Sequence, residues 1–276
     1  PYAAYDTENQ LAQELSSVFL PYRLAVTLHE LMTRGVRPHI RIQPSPRTAQ
    51  VPWELLGPDP AIRLIDIADV SVLAPVTVAA APGRVGRSWA QSAHLPVVAV
   101  LDPRVPGFRA DSELGSVLGR PDPLSPIAKR VAVHDRSGRL RPDGDPFRCA
   151  DVDREWLSST LRAGASRLLY VGHVTAAAPE SGRSETADLH LACAATTLGH
   201  EPPLRSHRPL SARDLLLGTF GLVDEPVAGQ DIWPIPSRVA LVACESGGDL
   251  RFTESLGLVA APDEYASCPG IPSAAS

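Results

Sequence analysis

Arg167-Leu168-Leu169-Tyr170-Val171-Gly172-His173 and Val239-Ala240-Leu241-Val242-Ala243-Cys244 decide the fold class. Each is a nearly continuous apolar run of strand length, the pattern of a strand covered on both faces in a parallel sheet. Leu95-Pro96-Val97-Val98-Ala99-Val100-Leu101 is a third run of the same kind, closed by Asp102-Pro103. Helical spacing falls between them. Val152, Trp156, Leu157 and Leu161 predict a helix over Asp151 to Ala163, with Gly164 as its stop. Ser211-Ala212-Arg213-Asp214-Leu215-Leu216 opens on a capping serine. Ser255 to Ala261 is a further expected helix and Leu189 to Ala195 a further strand candidate. Strands alternating with amphipathic helices argue for an α/β chain with a mostly parallel central sheet flanked by helices.

Working toward the N-terminus, residues 6–34 carry apolar groups at helical spacing, divided into two helices at Pro21, and Gly35 is the stop of the second. His39 to Ile42 reads as a strand, Val51-Pro52-Trp53-Glu54-Leu55-Leu56 as a turn of helix, and residues 62–73 as one or two strands. Pro82 to Ala93 reads as a linker. Residues 103–150 are rich in Pro, Arg, Asp and Gly, and only Ser112 to Leu118 is expected to be helical there. The organisation expected is a helical and strand segment over 1–80 packed on the core, the core itself over 95–261, and an irregular, truncated or aberrant tail over 262–276. A chain that begins at Pro1 reads as a fragment. Trp53 is expected to be buried beneath the sheet with a partner for its indole N–H.

Composition removes several function classes. The chain has 276 residues and a net charge of −5, and a nucleic-acid partner calls for a basic surplus instead. Its one lysine, Lys129, follows no glycine loop, so a phosphate-binding loop of the Walker type is excluded. Lys129 is also the one Schiff-base candidate. Four cysteines, at 149, 193, 244 and 268, form no C-x-x-C pair and are too sparse for a disulfide scaffold, which points to a reducing, cytoplasmic setting. No apolar run reaches the 18 or so residues of a membrane helix. His29-Glu30 lacks the second histidine of H-E-x-x-H, Gly83-Arg84-Val85-Gly86 lacks a third glycine, and G-x-S-x-G does not occur. His190, His200 and His207 are too scattered in sequence for a metal site. No metal or organic cofactor is expected.

His173 and Cys244 stand out because each ends a buried strand, and open α/β sheets collect ligands and reactive groups at the carboxyl ends of their strands. A thiol of pKa about 8.5 is weakly nucleophilic at neutral pH, and a nearby imidazole that takes its proton activates it. Gly172 before the histidine, Ala243 before the cysteine and Gly247-Gly248 beyond it are small, so the backbone amides of Gly172 and Cys244 are candidates for an oxyanion hole. The plainer alternative is a small buried thiol and a hydrogen-bonded histidine with no chemistry. Cys193, in Leu191-Ala192-Cys193-Ala194, reads as packed core, while Cys149 and Cys268 lie in loop-like surroundings.

The two strand-end segments resemble the histidine and cysteine boxes of CHAT domains, the caspase-like cysteine peptidase domains often found beside TPR repeats. Val51-Pro52-Trp53-Glu54-Leu55-Leu56 is similar to the upstream Pro-Trp-Glu-Leu-Leu box of that family. Ser211–Leu216 is similar to the segment between histidine and cysteine, and Glu254-Ser255-Leu256-Gly257-Leu258-Val259 to the helix after the cysteine. The order holds over roughly residues 50–261. The resemblance implies a caspase-hemoglobinase-like fold, His173 as general base, Cys244 as nucleophile, a protein or peptide substrate, and a TPR or other sensor domain outside this sequence. It also places Asp102 near the pocket for the residue before the scissile bond, where a carboxylate favours Arg or Lys; the competing role is a cap on the turn before Pro103. Val174 stands where the family commonly has a small residue, which would narrow the cleft, and residues 262–276 do not continue its strand pattern. A non-catalytic interaction or regulatory module of the same fold is the alternative function.

Overall fold

The computed structural model describes residues 5–43, 45, 47–48, 51–57, 59–73, 89–119, 122–243 and 258. Two compact units divide the chain, residues 1–75 and 76–276. In the first, α1 (Tyr5–Phe19) and α2 (Tyr22–Thr33) meet at Pro21, whose ring removes the amide that would continue α1. β1 (His39–Ile42) pairs in parallel with β2 (Asp69–Val72), joined through a 3-10 turn at Trp53–Leu55 and the short α3 (Leu64–Ile67). The 62–73 segment is therefore one helical turn and one strand. Arg37 clamps it, donating to Asp69 and to the carbonyls of Ile65, Asp66 and Ala68. Leu20, Leu28, Leu56 and Leu64 form the buried centre of this unit. Trp53 packs against that cluster, edge-on to Phe19 at 6.2 Å between ring centroids. It is half-buried, and its indole N–H has no partner among the described residues, contrary to expectation.

Among the described residues the second unit is built on a four-stranded, wholly parallel sheet with spatial order β4-β3-β5-β9. Its strands are β3 (Val97–Leu101), β4 (Leu140–Arg141), β5 (Arg167–Val171) and β9 (Val239–Val242). Period-2 alternation sorts the side chains. Val98, Val100, Leu168 and Tyr170 face a core closed by α6 (Arg154–Arg162), α7 (Ala212–Leu217) and α8 (Gly229–Ile232). Ala99, Leu101 and Val171 face the opposite way, onto Ile127 and Val131 of α5 (Pro126–Arg136). The short α4 (Trp89–Ser92) precedes β3 and falls within the expected linker, whose residues 82–88 lie outside the described residues. Among the described residues, no helix is long and apolar enough to cross a membrane.

Three expectations are corrected. Ser112 to Leu118 is a run of turns rather than a helix, for a reason that belongs to the site below. The loop reading of 119–150 misses α5 and β4. Ser125 caps α5 by accepting from the Ala128 amide, with Pro126 in the first turn and Ile127 and Val131 four apart on its buried face. Leu189 to Ala195 is not a strand of the parallel sheet. Of that segment only Leu189 lies in a strand, as part of Asp188–Leu189 (β7) in a small antiparallel sheet between β6 (Val174–Thr175) and β8 (Leu210–Ser211), and Ala194 makes an isolated antiparallel bridge with His207. Cys193 is fully buried, as expected, and Val174 is buried in the same core cluster rather than set against a cleft.

Candidate active site

The chain leaves β3 toward β4 on one side of the sheet, and leaves β5 toward β9 on the other. The strand order therefore reverses between β3 and β5, and the carboxyl ends at such a switch point are where open α/β sheets collect ligands. Asp102 is the first residue past β3, and its amide donates to Val171 at 2.6 Å. Gly172 and His173 follow β5, and the Gly172 amide donates to Val242 at 3.3 Å. That amide extends the ladder to β9, so it is not free to serve an oxyanion hole, which corrects the expected role of Gly172. Glycine is required there for another reason. A Cβ would sit 2.5 Å from the Tyr170 hydroxyl, which donates to the His173 carbonyl at 2.7 Å. The His190 amide reaches the same carbonyl at 3.2 Å, so the His173 main chain is fixed from two sides.

The His173 ring is fixed as well. Its Nε2 lies 3.1 Å from the carbonyl of Gly115. A carbonyl only accepts, so Nε2 carries the proton and Nδ1 of the neutral ring keeps its lone pair. Gly115 reaches this place through a chain reversal over 109–116. Ser112 donates to Arg109 at 3.0 Å, Gly115 to Ser112 at 2.9 Å, and Ser116 to Ala110 at 2.9 Å. A Cβ on residue 115 would lie 2.4 Å from the Ala110 oxygen, so only glycine passes.

Asp102 is what keeps 112–118 out of a helix. Its carboxylate is buried and accepts from Ser116 Oγ at 2.5 Å, Val117 N at 3.1 Å, Leu118 N at 3.3 Å and Arg148 Nη1 at 3.1 Å. The amides of Val117 and Leu118, which would otherwise bond along a helix, are drawn with the Ser116 hydroxyl onto one side chain, while the Ser116 amide goes to Ala110. With four donors from its own chain, Asp102 does not present a carboxylate to a basic substrate residue, and it is more than a cap before Pro103. Asp102 (φ 52°) and Arg148 (φ 56°) both hold left-handed backbone, which costs of order 1 kcal/mol or more for a non-glycine residue and persists only where surrounding bonds enforce it.

Cys244, Gly247 and Gly248 lie outside the described residues, as do Gly83–Gly86, Cys268, the expected helix over 255–261 apart from Leu258, and the 262–276 tail. Leu258 is buried in the main core cluster. Of the other cysteines, Cys193 is pushed up to about 11 by burial, and burial with Asp151 and Asp145 nearby raises Cys149. Both thiols are held protonated at neutral pH.

The sequence reading set His190 and His207 apart, whereas the fold brings them together. His190 Nδ1 and His207 Nε2 are 3.1 Å apart, both residues fully buried. His207 Nδ1 faces the Cys193 carbonyl at 2.9 Å, and His190 Nε2 faces the Thr175 hydroxyl at 3.0 Å. The carbonyl dictates the remaining roles. His207 donates from Nδ1, so its Nε2 accepts from His190 Nδ1–H, and His190 Nε2 accepts from Thr175. A proton added to His207 sets donor against donor across the pair, whereas one added to His190 Nε2 turns the Thr175 hydroxyl from donor to acceptor. Burial, with His207 and His173 alongside, depresses His190 to about 3, and burial also lowers His207. A histidine depressed from 6.5 stabilises fully above 6.5 and loses that contribution as pH falls toward its folded value. For His190 this amounts to at most about 1.4 kcal/mol per pH unit. Asp188 opposes it. Burial, then Glu201 and Asp214, raise its carboxyl to about 7, so its contribution is complete below 3.8 and is lost as pH rises toward 7. Urea unfolding at pH 6.5 and 4.5 is expected to show lower stability at 4.5, with the difference flattened or reversed in His190→Gln/His207→Gln. An unchanged pH dependence in that variant contradicts the neutral pair.

His200 stands apart from the pair, its Nε2 on the Gly218 carbonyl at 3.2 Å. Among the described residues no three His, Cys, Asp or Glu side chains are grouped to hold a metal. The residues around His173 that the sequence left unmarked are Gly115, Ser116 and Arg148; a glycine within an expected helix was the available signal for the first. No family model, no curated protein and no solved structure matches this chain significantly.

Proposed function

We propose that the chain is a cysteine endopeptidase of the caspase-like class, with His173 as general base and Cys244 as nucleophile. The observation that carries this reading is the His173 ring at the switch point of the parallel sheet, its Nε2–H committed to Gly115 and its Nδ1 without a hydrogen-bond partner among the described residues. The register adds support. Val171 pairs with Val242, so His173 and Cys244 each follow, by two residues, the last paired position of neighbouring strands. In the proposed reaction Nδ1 takes the thiol proton and the sulfur bonds to the peptide carbonyl carbon. The tetrahedral intermediate collapses as the imidazolium gives its proton to the departing amine. Water, deprotonated by the same ring, then cleaves the thioester and restores the thiol. The Gly115 carbonyl stays on Nε2–H throughout, which favours the imidazolium when it forms. The Cys244 amide is the remaining backbone donor of the expected oxyanion pair.

The test is labelling by a thiol-reactive peptidyl ketone. The wild-type chain is expected to be labelled at neutral pH, with labelling lost in Cys244→Ala and kept in Cys193→Ala and Cys149→Ala. No labelling of wild type, or labelling that persists in Cys244→Ala, rejects the reading and leaves the non-catalytic module.

A further inference from the structure

We infer that Asp102 and Arg148 are positioning residues for His173, acting through the Gly115 carbonyl; what the positioned ring does rests on the peptidase reading, whereas the positioning does not. Arg148 Nη1 bridges the Asp102 carboxylate at 3.1 Å and the Gly115 carbonyl at 3.3 Å, and that carbonyl receives His173 Nε2 at 3.1 Å. Asp102 reaches the same loop by a second route, through Ser116 and the amides of 117 and 118 immediately after Gly115. The charge pair is nearly closed to solvent, the Arg148 side chain 19% and the Asp102 side chain 2% exposed, so solvent competes little for these bonds.

The backbone serves the same arrangement. Leu101 pairs with Phe147 as an isolated parallel bridge, and the Arg148 amide donates to the Leu101 carbonyl at 3.1 Å. These bonds set the 148 backbone beside the end of β3, where its left-handed turn accompanies the side chain's return to Asp102. Among the described residues only Asp102, Arg148 and Arg205 are non-glycine positions with positive φ, and two of the three are bonded to each other here. A loop that only needed closing would not require this. The arrangement fixes the height of one carbonyl above the end of β5, and that carbonyl decides which nitrogen of His173 carries the proton.

The experiment is ring-15N NMR of the whole chain at pH 8, with His173 assigned by its absence in His173→Gln, read together with peptidyl-ketone labelling and the urea midpoint. Wild type is expected to show the Nε2–H tautomer. Asp102→Ala and Arg148→Met are expected to shift His173 toward a tautomer mixture and to slow labelling at least tenfold. Arg148→Met removes the bridge and the countercharge but leaves Asp102 its three other donors, so it carries the test if Asp102→Ala does not fold. A merely structural role would lower the urea midpoint and leave the tautomer in place, which overturns the inference. A shifted tautomer in a chain whose wild type takes no label keeps the positioning and rejects the peptidase reading. An unshifted tautomer beside Cys244-dependent labelling does the reverse.

Discussion

Arg154→Met is expected to destabilise the chain by about 3–5 kcal/mol, read as a fall in the urea midpoint, because it strands a buried carboxylate. Arg154 and Asp214 are 6% and 1% exposed, and Nη2 lies 2.8 Å from Oδ2. The guanidinium also donates to the carbonyls of Leu198 and Pro209. Asp214 caps α7 through Ser211, and it holds the His200 amide at 2.9 Å. One ion pair thus joins α6, the start of α7 and the loop over 198–209. Burial acts to raise the Asp214 carboxyl, but Arg154 and the amides of Ser211 and His200 outweigh it, and the group lies below the ordinary carboxylate range. Its contribution is therefore present above 3.8 and lost as pH falls through the folded value. The double variant Arg154→Met/Asp214→Leu is expected to recover part of the loss, since neither charge then remains buried alone. A loss under about 1 kcal/mol in Arg154→Met would remove the pair from its central place in this unit.

His173→Ala is expected to slow peptidyl-ketone labelling at pH 7 by about 10²–10⁴-fold, the range of a positioned general base. The residual rate is expected to climb about tenfold per pH unit toward 8.5, as an unassisted thiol ionises. Equal rates in the two proteins would dismiss His173 as the base, however well its ring is held. The other buried rings cannot substitute, because His190 Nε2 is spent on Thr175 and His207 Nδ1 on the Cys193 carbonyl.

The sequence by itself determined what depends on spacing within a few residues. The apolar runs at 97–101, 167–171 and 239–242 are strands of one parallel sheet, but only the first is buried throughout: β9 ends the strand order among the described residues with one face exposed, Val242 at 55%, contrary to the expectation of a strand covered on both faces. The 154–162 helix and the cap at Ser211 follow from apolar periodicity and a hydroxyl placed before it. The place of His173 just past a central strand was legible for the same reason. Its proton was not, because the deciding carbonyl belongs to Gly115, 58 residues away. Asp102 shows the limit most plainly. An Asp-Pro after a strand reads locally as a turn or a rim charge, and only the return of the chain at Arg148, 46 residues on, makes it a buried anchor that holds 116–118 out of a helix. His190 and His207 are 17 residues apart and become neighbours only once β7 and β8 pair, two strands of two residues each, too short to show a period. Local propensity fixes which residues extend or coil, whereas a hydrogen bond between distant residues exists only after the chain entropy of bringing them together has been met by the core that both of them edge.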